Sequence, residues 1–444
     1  MSQTAALSAK IRLATASPAT RSTRRETLAQ LERLARSAAE RKADFLLLPE
    51  AYLGGYPRGS DFGCKIGGRT EEGRDEFRRY FRDAVDLGDV VGPAGAGGLE
   101  KWVRRELPDD LGDGGEGQSR GEGPPKGRGD GTREEIERVA RETGVFIVVG
   151  LVERAGGSLY CAVTYVCPRR GMIGKRRKVM PTGTERLIWA QGSPATLKAV
   201  STTIRGIRVN LAAAICWENY MPLLRQSLYA QNINLYFAPT ADNRDTWLPL
   251  MRTVGIEGRC FVVSSNMCAR EGAKDAPQPR RNSCLTKEGF EIALPASPPP
   301  RQSPGAGSAP KARRSSVFDE DGNEIVLSSP VDSPKTAGAA ASIAALSSSS
   351  AVIEEDEEDE GAAREVGGPA KFISRGGSSI VSPYGDVLAG PQWEDDEGII
   401  YADVDLEDCV RGRLDLDAGG SYSRNDSFKF SVEGLDLDPL PYYK

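Results

Sequence analysis

Phe45-Leu46-Leu47-Leu48-Pro49-Glu50 is a continuous apolar run that ends on a carboxylate. Continuous rather than alternating apolarity is the pattern of a strand buried on both faces, as in a parallel sheet covered by helices. The flanking sequence agrees. Residues 11–16 read as a strand, and residues 24–42 set Leu28, Leu31, Leu34, Ala35 and Ala38 at helical spacing among charges.

The same rhythm recurs twice. Thr132-Arg133-Glu134-Glu135 reads as a capping box before a short helix, followed by strands over 145–152 and 159–166 with a turn at Gly156-Gly157. Farther on, residues 207–215 read as a strand, 222–231 as a helix, 235–237 as a strand, 247–257 as a helix and 261–265 as a strand. Strand signals return over 378–382, 387–388 and 399–404, with a turn at Tyr384-Gly385-Asp386. Helices alternating with buried strands predict an α/β layered fold.

Two stretches interrupt it. Residues 90–131 are dense in Gly, Asp and Pro; residues 271–370 hold a proline run, a serine run and the acidic run 354–360. Such composition buries too little apolar area to offset ordering entropy, so the second is expected to be a disordered insertion with one short hairpin around 319–327. Gly112-Asp113-Gly114-Gly115-Glu116-Gly117 spells the dinucleotide fingerprint. Both its flanks are low-complexity, where that fingerprint needs a strand and a helix, and it reads as chance.

The 444 residues contain no histidine. That excludes Ser/His/Asp and Cys/His nucleophile systems, HExxH metalloproteases, Cys/His zinc fingers and histidine pH switches. A net charge of −5 gives no footprint for nucleic acid or an anionic membrane. The eight cysteines include no CxxC pair, no apolar run approaches a membrane span, and the start MSQTAALSAK has no signal-like apolar region. These features predict reduced thiols in a cytoplasmic protein.

Glu50 ends one buried strand, Cys216 follows another at Ala212-Ala213-Ala214-Ile215-Cys216, and Lys178 lies in the basic run Lys175-Arg176-Arg177-Lys178. Taken singly, each has an ordinary reading: a solvated carboxylate, a small core residue, a charge in a solvated basic turn. Together they make a working set. A thiol needs a base, a buried glutamate is the substitute where histidine is absent, and a fixed cation stabilises a developing anion.

The segments carrying these residues resemble the nitrilase branch of the carbon–nitrogen hydrolase superfamily, and in detail its fungal members. They are Leu48-Pro49-Glu50-Ala51-Tyr52-Leu53-Gly54-Gly55-Tyr56-Pro57-Arg58-Gly59, Arg177-Lys178-Val179-Met180-Pro181-Thr182-Gly183-Thr184-Glu185-Arg186 and Cys216-Trp217-Glu218-Asn219-Tyr220-Met221-Pro222. Gly255-Ile256-Glu257-Gly258-Arg259-Cys260 and residues 411–426 match as well. The resemblance implies a four-layer α-β-β-α sandwich, one domain over 1–444 interrupted by the two low-complexity insertions. It implies Glu50 as general base, Lys178 as stabiliser of the tetrahedral species and Cys216 as nucleophile. Glu185 would orient Lys178, and the backbone N–H of Trp217 would assist the anion.

No metal or organic cofactor is implied. The expected reaction takes a small-molecule nitrile to the carboxylic acid and ammonia through a Cys216 thioimidate and acyl-enzyme, in a homo-oligomer (dimer or helical assembly). An amidase or cyanide hydratase of the same superfamily, or a non-catalytic scaffold, is the alternative. Tyr52, Tyr56, Trp189 and Trp217 are candidates to line the substrate pocket. The chain departs from its fungal relatives at Arg176 and Thr253, where they usually carry histidine.

Overall fold

The computed structural model describes residues 10–88, 129–242, 244–270 and 372–435, and the backbones of four short strands between 283 and 327. The first part of the chain gives β1 (Lys10–Ala16), α1 (Arg24–Glu40), β2 (Phe45–Leu53), α2 (Glu71–Asp83), α3 (Thr132–Thr143), β3 (Phe146–Ala155), β4 (Ser158–Cys167) and β5 (Gly171–Arg177). Then come β6 (Val200–Ile204), β7 (Ile207–Ala213), α4 (Pro222–Tyr229), β8 (Leu235–Thr240), α5 (Trp247–Gly258), β9 (Phe261–Asn266) and β10 (Cys268–Arg270). Two separate hairpins follow, β11 (Ser283–Leu285) with β12 (Glu291–Ala293) and β13 (Ser315–Phe318) with β14 (Glu324–Leu327). The chain returns with β15 (Phe372–Val381), β16 (Val387–Trp393), β17 (Ile399–Asp405) and α6 (Glu407–Arg411).

One sheet runs β17-β1-β2-β3-β4-β5, the other β10-β15-β9-β8-β7-β6, with β16 on β15. β1, β2 and β3 are parallel neighbours, as are β7, β8 and β9. Period-two alternation explains the unbroken apolar runs. Phe45 and Leu47 face the core between the sheets with Phe146, Val148, Leu211 and Phe237. Leu46 and Leu48 face the other way, against Leu31, Leu34 and Ala35 of α1 and Ile136 and Val139 of α3. On the far side, Ala212, Tyr236 and Val262 pack on Leu224, Leu228, Met251 and Val254 of α4 and α5. Three apolar layers between four layers of structure make an α-β-β-α sandwich, as expected.

Several local readings change. β2 continues past Glu50 to Leu53, with a register shift between Leu48 and Leu53 and a positive φ of 51° at Ala51. That bulge brings Glu50 against Gly150 of β3, where an added Cβ would collide with the Pro49 carbonyl and lie 2.7 Å from the Glu50 Cα. A capping box forms at Thr23 and Glu26, and none forms at Thr132. Thr132 is the first residue of its helix, after Gly131 in the left-handed region, and Asp130 accepts its backbone N–H. α2, β5 and β6 were not anticipated.

The hairpin β13–β14 brackets the expected one. The Gly112–Gly117 motif and the bulk of both insertions lie outside the described residues. No described helix is long and apolar enough to cross a membrane.

Candidate active site

Four side chains named from sequence meet between the two sheets. Glu50 comes from the β2 bulge, Lys178 follows β5, Cys216 follows β7, and Glu185 lies in the turn Gly183–Leu187. Lys178 Nζ donates to Glu50 Oε1 at 2.7 Å and to Glu185 Oε2 and Oε1 at 2.7 and 3.0 Å. The carboxyl groups of Glu50 and Glu185 and the Cys216 sulfur lie within 4.8 Å of one another. That set has the donors to hold a metal ion, but the cation the carboxylates converge on is the Lys178 ammonium. Glu50, Lys178 and Glu185 are all buried, and Cys216 is 4 % exposed.

Burial sets the electrostatics. It raises the Glu50 pKa above the ordinary carboxylate range even though Lys178 pulls it down. Burial works against the charge on Lys178 too, but Glu50, Cys216 and Glu185 outweigh it and raise its pKa well above that of a free lysine. The Cys216 thiol is pushed up by burial and by the charge on Glu50, so the resting group is a thiol that needs a base. Glu50 Oε2 is buried without a hydrogen-bond partner, while Oε1 serves Lys178 and lies 3.5 Å from the Cys161 sulfur.

Cys216 has a φ of 53°, in the left-handed region where a residue with a side chain is strained. It opens the turn Cys216–Tyr220, so the strand end of β7 reverses sharply at the sulfur. Two groups hold that turn. The Asn219 side chain donates to the carbonyls of Ala214 and Cys216, at 2.9 and 2.7 Å. Glu218 accepts from the backbone N–H of Ile215 at 2.8 Å.

The basic run is not a solvated turn. Lys175, Arg176, Arg177 and Lys178 are all buried, and alternation along β5 splits them between two faces. Lys175 and Arg177 meet Glu153. Arg176 grips Glu218 and Lys178 grips Glu50 and Glu185. Burial alone would raise Glu153, but Lys175 and Arg177 hold it down at about 2.

Of the pocket candidates, Tyr56 donates to Glu185 Oε1 at 3.0 Å and packs edge-on against Trp189, ring centres 5.5 Å apart. Trp189 also lies beneath Lys178, whose Nζ is 5.7 Å from its ring centre, and donates Nε1 to Tyr80 of α2. Trp217 donates Nε1 to Asp242 at 3.1 Å, under the Arg244 guanidinium. Tyr52 is not part of this cluster. Alternation along β2 turns it to the α1 side, where its hydroxyl meets the Thr27 carbonyl and Gln30.

Residues that sequence reasoning missed include Thr240, whose hydroxyl donates to the Cys216 sulfur at 3.1 Å. Glu218 and Tyr80 were missed as well. Thr240 ends a parallel strand next to β7, and attention to every strand end would have found it.

A family model described as carbon–nitrogen hydrolase matches residues 10–302 and 361–413. The chain is 35% identical over 415 residues to an arylacetonitrilase of Trametes versicolor, covering 92% of this chain and 91% of that one. It is 33% identical over 400 residues to a nitrilase of Bradyrhizobium diazoefficiens, covering 90% of this chain and 84% of that one. The crystal structure of a carbon–nitrogen hydrolase from Helicobacter pylori is similar with a TM-score of 0.50 at 13% identity, covering 91% and 92% of the two chains, a likeness of fold.

Proposed function

The chain belongs to the carbon–nitrogen hydrolase family, and from that premise we propose that it is a nitrilase, taking an organic nitrile and two waters to the carboxylic acid and ammonia. The observation that carries the reading is the buried convergence of Glu50, Lys178 and Glu185 beside a thiol held at a strained strand end.

Glu50 takes the thiol proton as the Cys216 sulfur bonds to the nitrile carbon. One π bond of the C≡N group breaks, its nitrogen takes that proton from Glu50, which is ionised again, and a thioimidate results. A water deprotonated by Glu50 adds to the same carbon, and the tetrahedral species expels ammonia to leave a thioester. A second water, activated the same way, breaks the C–S bond and restores the thiol with release of the acid. Charge gathers on nitrogen and then on oxygen in the tetrahedral species, and the Lys178 ammonium and the Trp217 N–H stabilise it. Glu185 keeps Lys178 in place and, with Glu50, keeps it charged. Tyr56 and Trp189 wall the site on the Glu185 side, and Trp217 on the Asp242 side. These groups supply base, cation and nucleophile, so no step is assigned to a metal or organic cofactor.

The family resemblance supports a homo-oligomer, a dimer or a helical assembly, and the thiols left free among the described residues support a cytoplasmic setting. Particle size by light scattering tests the first.

The test of function is ammonia release from a panel of arylaceto-, aromatic and aliphatic nitriles, cyanide and the matching amides, with acid and amide products separated. Nitriles giving acid, together with loss of turnover in a folded Cys216→Ala variant, is the expected result. Turnover of amides alone would make the protein an amidase. Formamide from cyanide with no acid would make it a cyanide hydratase, and no turnover of any substrate would leave a scaffold.

A further inference from the structure

Thr240 stands in direct contact with the sulfur, yet none of the steps above uses it. It is the last residue of β8 and fully buried. Its Oγ1 accepts the backbone N–H of Asp242 at 3.1 Å and donates to the Cys216 sulfur at 3.1 Å. A hydroxyl has one proton to give. With the Asp242 N–H on a lone pair, that proton is committed to the sulfur.

The backbone beneath it is fixed as well. Thr240 pairs with Asn266 of β9, and its carbonyl accepts the Met267 N–H at 3.2 Å. β8 lies between β7 and β9, inside the sheet. The donor is therefore already aimed when charge develops, and no reorganisation is spent on turning it.

We propose that Thr240 is a further catalytic residue, whose hydroxyl stabilises the Cys216 thiolate when it forms for attack and again when it departs from the acyl-enzyme. The assignment rests on the reading of Cys216 as nucleophile. Hydrogen bonds to an ionised acceptor are about twice as strong as neutral ones, so this contact strengthens as Glu50 takes the thiol proton. Stabilising a thiolate also blunts it, and the balance has to be worked out. Burial and the neighbouring carboxylates make the Cys216 thiolate scarce. Each tenfold gain in its population costs only about threefold in intrinsic nucleophilicity, at a Brønsted coefficient of ~0.4–0.5. The net effect on attack is positive. On the return step a better-stabilised thiolate is the better leaving group, so both half-reactions gain.

Thr240→Val keeps the branched shape and removes the hydroxyl; Thr240→Ser keeps the hydroxyl and removes the methyl. The readout is the pH profile of Cys216 alkylation by iodoacetamide, located by the mass of the modified peptide, together with kcat and KM. Thr240→Val is expected to move the alkylation midpoint up by about one pH unit and to lower kcat roughly threefold with KM little changed. Thr240→Ser is expected to stay near wild type. Circular dichroism checks both variants, and Thr240→Ala stands in for the valine if that disturbs the fold.

A wild-type alkylation profile in Thr240→Val overturns the proposal. So does equal impairment of the serine and valine variants, which would assign the effect to the methyl group. The nucleophile reading fails differently, through nitrile turnover retained by Cys216→Ala, and the alkylation profile reads the thiol itself whatever the reaction.

Discussion

Arg176 and Glu218 form a two-point ion pair wholly inside the protein, with Nη2 2.6 Å from Oε1 and Nη1 2.7 Å from Oε2. Each partner is also tied to backbone. Arg176 donates to the Ala213 carbonyl at the end of β7, and Glu218 accepts from Ile215 N–H just before Cys216. Glu218 further accepts from Val179 N–H, directly after Lys178, at 2.7 Å. The pair thus joins the segment bearing Lys178, at the edge of one sheet, to the turn bearing Cys216 in the other. An arginine is charged at every working pH and holds the Glu218 carboxyl below the ordinary carboxylate range, so the tie loosens only on acidification.

Removing one side of a buried pair leaves the other charge stranded, at a cost of about 3–5 kcal/mol. Glu218→Gln should therefore destabilise the fold by that order and lower kcat by displacing the Cys216 turn. The double variant Arg176→Met/Glu218→Gln should recover part of the stability, since no unpaired cation remains. Urea unfolding of the two single variants and the double tests this. Additive losses would show that the pair is not coupled.

Glu50→Gln should abolish base catalysis and slow alkylation of Cys216, because the group that takes the thiol proton is gone. Lys178→Met should cost turnover by several orders of magnitude with a different effect on the thiol. On the proposed reading Glu50 acts only when ionised, and its pKa is raised. Activity should therefore fall on the acid side at a pH above the ordinary carboxylate range of about 4.3. If both variants alkylate at the wild-type rate, the roles given to Glu50 and Lys178 are wrong.

Glu153 makes a claim on stability instead. Its carboxyl is held at about 2 in the folded protein, below its ordinary value of 4.5. A depressed acid stabilises the fold fully above its unfolded pKa, and the contribution drains away as pH falls towards the folded one. The window is therefore from about pH 4.5 down to about pH 2, with about 3 kcal/mol at stake. Glu153→Gln should be less stable at pH 7, where Lys175 and Arg177 are left without their carboxylate, and should lose less on acidification. Urea midpoints at pH 7 and pH 4 measure both effects. An unchanged pH slope would rule the site out as a source of acid sensitivity.

The layers of the fold were legible because a continuous apolar run such as Phe45–Leu48 buries both faces of a strand, and the helical spacing of Leu31, Leu34 and Ala35 buries one face of a helix. Glu50 and Cys216 were legible as candidates because each follows directly on a continuous apolar run of the sequence. The burial of Lys175, Arg176 and Arg177 was not. A run of four cations reads as solvated unless its partners are known, and Glu153 lies 22 residues from Lys175 and 24 from Arg177, Glu218 42 from Arg176. Tyr52 was misplaced because the bulge in β2 and the alternation beyond it decide which way each residue faces. Thr240 stands at a strand end too, but its contact with Cys216 comes from the neighbouring strand and not from its own segment.

The long segment after β10 can be tested by shortening it. β10 and β15 are antiparallel neighbours, and Arg270 at the end of one stands opposite Phe372 at the start of the other. The chain thus leaves and re-enters the sheet at adjacent positions, the geometry that a short hairpin loop closes. The composition in between, rich in Pro, Ser and acidic runs, motivates the expectation that it is a surface insertion. The family match gives a natural inner boundary, since it omits residues 303–360.

Two deletions follow: a narrow one removing 303–360, and a wide one joining Arg270 to Phe372 through a short Gly/Ser linker. The narrow deletion should keep full turnover and wild-type particle size. The wide one should keep turnover as well, because none of Glu50, Lys178, Glu185, Cys216 and Thr240 lies within it. Stability should rise slightly in both, as loop-closure entropy grows by only about 0.6 kcal/mol per doubling of length. Turnover and particle size should be measured on the same preparations. Lost turnover in a folded, normally assembled wide deletion would mean that residues 271–302 or 361–371 belong to the active site. The same loss in the narrow deletion would end the reading of the segment as an insertion.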